Sequence, residues 1–106
     1  MYNRVQDKNL LIQSSTKADK MKVKNIVNNN GNTVPNQFII SDGGRDIFQS
    51  YKTIIAIVSV NDIVLDTGAL DYSRTTCKYL YQFLGKDRKT ILNFIENGAI
   101  TLKDLN

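Results

Sequence analysis

The residues of this chain whose types and spacing can do chemistry are cationic and aromatic, and they crowd between Tyr72 and Leu92, where five positive charges stand against one negative. Arg74, Lys78 and Gln82 recur at four-residue steps, which puts them on one stripe of a helix, flanked by Thr75 and Tyr79. Lys86, Arg88 and Lys89 crowd the short link that follows and the start of a second helix. Cations grouped in this way neutralise phosphates, while the Tyr79 ring offers a stacking surface to an unpaired base and the Thr75 hydroxyl can reach a phosphate oxygen. Arg74, Lys78, Tyr79, Lys86, Arg88 and Lys89 are therefore the candidate surface for a nucleic acid or another partner. The plain alternative is a solvated face of lysine and arginine.

Other chemistry is poorly supplied. Histidine is absent, which removes the commonest general base and the commonest metal ligand together and makes serine–histidine or cysteine–histidine nucleophile pairs impossible. Cys77, the one cysteine, falls on the apolar shoulder of the same helix and reads as a buried structural thiol rather than a nucleophile. Asp42, Asp46, Asp62, Asp66 and Asp71 fall near strand ends, where clustered carboxylates could hold magnesium, but no two share a spacing that fixes a metal, and turn and cap roles account for most of them. Ser41-Asp42-Gly43-Gly44-Arg45 lacks the lysine-serine of a P-loop and the glycine spacing of a dinucleotide fold, so it reads as a hairpin turn. The expectation is a binding protein, not an enzyme, with no cofactor and no metal.

Those side chains need a scaffold, and 106 residues suffice for one domain with a single modest core. The net charge of +4 is unevenly placed: residues 1–30 carry +4, residues 31–70 carry −2 and residues 71–106 carry +2. A mild basic excess favours polyanions without identifying one. A single cysteine excludes an intrachain disulfide framework and fits a reducing cytoplasm, and with no signal-like start and no apolar run of about 18 residues neither secretion nor membrane insertion is indicated.

The helix that carries the first cations is framed by Ser73 as N-cap and Gly85 as its left-handed stop, with Thr76, Leu80, Phe83 and Leu84 as its core face and Cys77 and Tyr81 on the shoulder. Asp87 caps a second helix with an Ile91, Leu92 and Ile95 stripe, closed by Asn97-Gly98. Residues 1–20 read as a loosely attached arm ahead of an α+β domain over 21–106. Met21 and Val23 alternate with Lys22 and Lys24 as an edge strand with its lysines in water. Gln37–Ser41 and Asp46–Tyr51 form a hairpin across Asp42-Gly43-Gly44, with Ile47, Gln49 and Tyr51 on one face and Phe48 and Ser50 on the other. Thr53–Val60 is the central strand, Ile54, Ala56, Val58 and Val60 facing one side and Ile55 and Ile57 the other. With both faces apolar, the arm or a second copy must cover the side the helices do not. Ile63–Leu65 pairs back after Asn61-Asp62, and Ala99–Leu102 is a last short strand. The expected fold is an antiparallel sheet of four or five strands with two carboxy-terminal helices on one face.

Phe48-Gln49-Ser50-Tyr51-Lys52-Thr53-Ile54-Ile55-Ala56, Asp71-Tyr72-Ser73-Arg74-Thr75-Thr76-Cys77-Lys78-Tyr79 and Phe83-Leu84-Gly85, in this order and spacing, resemble an uncharacterised family of short bacteriophage and plasmid proteins. The likeness spans residues 34–106. It implies a mobile genetic element and expression in a bacterial cytoplasm, and it supplies no reaction. By analogy with small phage proteins that bind host machinery, it suggests a counter-defence, anti-CRISPR-like inhibitor. Being basic, such an inhibitor would engage RNA or a host ribonucleoprotein rather than imitate DNA. The competing expectation is a protein-only module that homodimerises through its sheet.

Overall fold

The computed structural model describes residues 21–106, so the arm expected over residues 1–20 lies outside them. Hairpins build the sheet in chain order: β1 (Lys22–Val27), β2 (Thr33–Asp42), β3 (Arg45–Ser50), β4 (Thr53–Val58) and β5 (Ile63–Asp66), each antiparallel to the one before. A 3-10 turn (Ala69–Asp71) leads to α1 (Arg74–Leu84) and α2 (Arg88–Glu96), and β6 (Ile100–Lys103) then returns beside β5. It runs parallel to β5, Ile63 opposite Ile100 and Asp66 opposite Lys103. Among the described residues the sheet is thus mixed and six-stranded, in the order β1-β2-β3-β4-β5-β6. The α+β class agrees with expectation, while the sheet has one strand more and one direction different. A parallel neighbour requires a crossover back to the same end of the sheet, and the two helices are that crossover.

The Asp42–Arg45 hairpin forms as its residues demand. Gly43 and Gly44 have φ of 59° and 84°, the left-handed pair of a two-residue turn whose twist matches the flanking strands. Alternation along β3 then turns Phe48 and Ser50 towards the helices: Phe48 lies 5.7 Å from the ring of Phe83, and the Ser50 and Thr76 hydroxyl oxygens are 3.0 Å apart. Leu80 of α1 and Ile91 of α2 join Phe48, Ala56, Leu65 and Ile100 in one buried cluster. Both helices therefore cover the same face.

Two local departures shape that face. In β4 the register slips between the pairs Phe48–Ala56 and Gln49–Ile54, a bulge that leaves Ile55 unpaired. As a result Ile55 and Ala56 are both buried in the core cluster, where simple alternation predicts opposite faces, and the strand ends at Val58 rather than Val60. In β1 the core residue is Ile26, 2% exposed, while Met21 and Val23 are 60% and 59% exposed. Val23 pairs with Ile40 on the far face of the sheet, and the row continues through Ile47, Ile57 and Val64.

Candidate functional site

Caps at both ends set the position of α1. The Ser73 hydroxyl accepts from the Thr76 N–H at 3.1 Å, and Gly85 takes φ 66° while its N–H reaches the Tyr81 and Gln82 carbonyls. Asp87 caps α2 by accepting from the Thr90 N–H at 2.8 Å. With so short a link between caps, the first turn of α2 lies near the side of α1. Arg88 uses that proximity: its Nη1 donates to the Leu70 carbonyl at 3.2 Å and to the Tyr81 hydroxyl at 3.5 Å, and the tyrosine contact holds the guanidinium charge above its ordinary stability.

The 3-10 turn, α1 and the start of α2 so enclose an open groove of about 430 Å³, lined by Leu70, Tyr72, Arg74, Cys77, Lys78, Tyr81 and Arg88. No carboxylate lines it, and among the described residues none forms an ion pair with its three cations. Leu70 and Cys77 supply an apolar floor. Cys77, expected to be buried, is half-buried with its Sγ 3.5 Å from the Leu70 carbonyl oxygen and 3.8 Å from that of Ala69.

Of the six residues singled out by sequence, Arg74, Lys78 and Arg88 come together here, and Lys86, Lys89 and Tyr79 do not. The Lys86 ammonium lies 5.5 Å over the Phe94 ring, a cation–π contact that holds it along α2. Lys89 is exposed in the first turn of α2, outside the groove. Tyr79 corrects the sequence expectation: it is 6% exposed and belongs to the core, so its ring is closed to a stacking base. Thr76 three residues before it and Phe83 four after it both face the sheet, and helical periodicity carries Tyr79 with them. Lys78 leans over that ring, Nζ 5.3 Å from its centroid. Gln82 leaves the stripe too, donating to the Val27 carbonyl of β1 at 2.8 Å.

The aromatic walls of the groove are instead Tyr72 and Tyr81. Tyr81 was legible as the shoulder residue three positions beyond Lys78; Tyr72, ahead of the N-cap, carried no periodic signal. Tyr72 also walls a second pocket of about 270 Å³, lined by Ser50, Tyr51, Thr53, Ile55, Ser73 and Thr76, where the 48–56 and 71–79 stretches meet. Tyr51 at its mouth is 63% exposed and left-handed at φ 55°, and its N–H donates to the carbonyl of Asn36, itself at φ 65°.

Three of the five carboxylates singled out by sequence, Asp66, Asp46 and Asp42, have structural partners. Asp66, 4% exposed, accepts from the Tyr72 hydroxyl at 2.7 Å, the Leu105 N–H at 2.9 Å, the Asn106 amide at 3.2 Å and the Gly68 N–H at 3.3 Å. Those donors, Leu105 foremost, hold its carboxyl below the usual carboxylate range. Asp46 accepts from the Ser41 hydroxyl at 2.9 Å, and Asp42 pairs with Arg45 at 3.7 Å. Among the described residues no three potential metal ligands gather.

A protein family described as a family of unknown function, DUF8033, matches residues 21–97. That span is more than half of the chain, which belongs to this family. No curated protein and no solved structure matches it significantly. No helix among the described residues is long and apolar enough to cross a membrane.

Proposed function

We propose that this member of the DUF8033 family is a non-catalytic binding protein that engages RNA, alone or within a host ribonucleoprotein, through the basic groove between α1 and α2. The observation that carries the reading is the convergence of Arg74, Lys78 and Arg88 on a groove walled by tyrosines and lined by no carboxylate, Asp71 being the acid that acts on Arg88 from beside it. Cations so placed attract phosphates, and exposed ring faces suit unpaired bases better than a duplex. A counter-defence role in a bacterial cytoplasm is the biological form of the reading, and its support is the resemblance to short phage and plasmid proteins. Filter binding of single-stranded RNA and duplex DNA across a salt series tests it. Three phosphate contacts give a log–log slope near −2 on a single strand, at about −0.7 per contact. A flat salt response, or no retention of RNA, removes the proposal.

A second reading has its own observation. Val23, Ile40, Ile47, Ile57 and Val64 stand opposite one another in five neighbouring strands on the face away from the helices. The row is aliphatic and uncharged over roughly 19 Å at normal strand spacing, so a second copy related by a two-fold axis presents a matching surface. Light scattering decides: a dimer broken by Ile57→Lys supports this reading, and a monomer at high concentration ends it.

A further inference from the structure

We infer that the groove is a seat for one unpaired nucleotide, its phosphate held between Arg74 and Arg88 and its base laid on the Leu70–Cys77 floor against Tyr72. The inference deepens the RNA reading and rests on it: it assigns to this groove a defined unit of the ligand, where the broader reading asks only for a basic surface.

The size suits that occupant. About 430 Å³ lies within the roughly 300–1,000 Å³ of small-ligand pockets. The chemistry of the lining suits it further: three cations, two tyrosine rings and the apolar Leu70 and Cys77 side chains share one groove, the groups that the anionic and aromatic parts of a nucleoside monophosphate would meet. Arg88 is already oriented. The hydrogen bonds it makes to described residues all leave from Nη1, to Leu70 and Tyr81, so the Nε and Nη2 hydrogens remain for phosphate oxygens, and an arginine held in place loses less freedom on binding than a free one. Arg74 is exposed on the first turn of α1, where the positive end of the helix adds to its attraction for an anion. Lys78 is the rim group, its ammonium resting over Tyr79 rather than over the floor. Tyr72, which also lines the groove, is 39% exposed and fixed by its hydroxyl to Asp66, which leaves ring surface for a base without a rotamer to freeze.

The groove contains its own reporter. Cys77 is the one cysteine and lies in the floor, so a base seated there shields it from a small neutral alkylating agent. The experiment is the rate of Cys77 carboxamidomethylation by iodoacetamide in the full chain, followed by mass spectrometry, with AMP, hexauridylate, adenosine or inorganic phosphate present. AMP and hexauridylate should each slow the reaction about tenfold, the factor that corresponds to 90% occupancy, while adenosine and phosphate at equal concentration do not. Arg88→Gln should raise the half-protecting AMP concentration about tenfold, the loss of one charge-assisted hydrogen bond. Protection by hexauridylate alone keeps the seat and makes polymeric RNA its source; protection by AMP alone keeps it and makes the free nucleotide its source, ending the RNA reading. Retention of RNA on filters with unchanged Cys77 reactivity overturns the seat and leaves the RNA reading standing. Equal protection by phosphate overturns the base contact, leaving a simple anion site. Should Cys77 react too slowly to time, the amide shifts of Leu70, Cys77 and Tyr81 in the labelled chain on addition of AMP measure the same occupancy, and no shift at these three overturns the seat.

Discussion

The Tyr72 hydroxyl donates to Asp66 Oδ2 at 2.7 Å, so one wall of the basic groove is anchored to the end of β5 by a carboxylate that also receives Leu105 and Asn106. Asn106 extends the link: its side-chain amide donates to the Ile54 carbonyl and accepts from the Ile54 N–H, completing the pairing of β4 beyond the end of β5. Groove wall, sheet and carboxy-terminal segment are one hydrogen-bonded unit.

Acid should loosen that unit. A carboxyl lowered in the folded state contributes fully above its unfolded pKa near 3.9, and its contribution is lost as pH falls through that value into the lowered range. Tyr72 shifts the other way, raised chiefly by its bond to Asp66, so its share holds below about pH 10 and is lost as pH rises through the raised value. Asp66→Asn should cost about 2 kcal/mol at neutral pH and flatten the acid limb of stability, read from urea melts at a series of pH values. An unchanged acid limb would contradict the assignment.

Ser50 and Thr76 are 4% exposed each and share a hydrogen bond of 3.0 Å, with Ser73 donating to the same threonine oxygen. Thr76→Val keeps the shape and strands Ser50 in the core, so it should lose about 1–3 kcal/mol. Adding Ser50→Ala should recover part of that loss, a coupling of at least about 0.5 kcal/mol in a double-mutant cycle. Strict additivity would show the pair to be independent.

Tyr79 is expected to matter for stability and not for ligands. Tyr79→Ala should lower the unfolding free energy by about 3 kcal/mol, whereas Tyr79→Phe should leave RNA retention and its salt slope unchanged.

The groove cations should act alike and their neighbours should not. Alanine at Arg74, Lys78 or Arg88 is expected to weaken binding of single-stranded RNA and to reduce its salt slope, by at most about 0.7 each, while Lys89→Ala changes it little. Equal effects at all four positions would mean a diffuse field rather than a groove.

Gly85→Ala isolates a backbone effect. A Cβ at this position meets nothing within 4 Å, but φ is 66°, so the left-handed penalty of about 1–2 kcal/mol should appear undiluted by packing. A thermal melt measures it, and Gly85→Asn should cost less.

The features legible in the chain alone are local. Ser73, Gly85 and Asp87 mark the helix ends, Gly43-Gly44 the hairpin, and the alternation of Ile47 and Phe48 the faces of β3, because each depends on neighbours within a turn or two of chain. The remaining features exist only once distant segments meet. The direction of β6 follows from the span of the helical crossover, and four residues of strand carry no sign of it. The bulge at Ile55 sets aside an alternation that the sequence shows plainly, since filling the core outweighs regular pairing. Tyr79 reads as a surface ring when α1 is counted from its cations and as core when counted from Thr76 and Phe83; the sheet beneath selects the second. Arg88 finds Leu70 eighteen positions away and Asp66 finds Asn106 forty positions away, and partners so distant leave no periodic trace, because side-chain hydrogen bonds are chosen by folded geometry after the chain's local preferences have been satisfied.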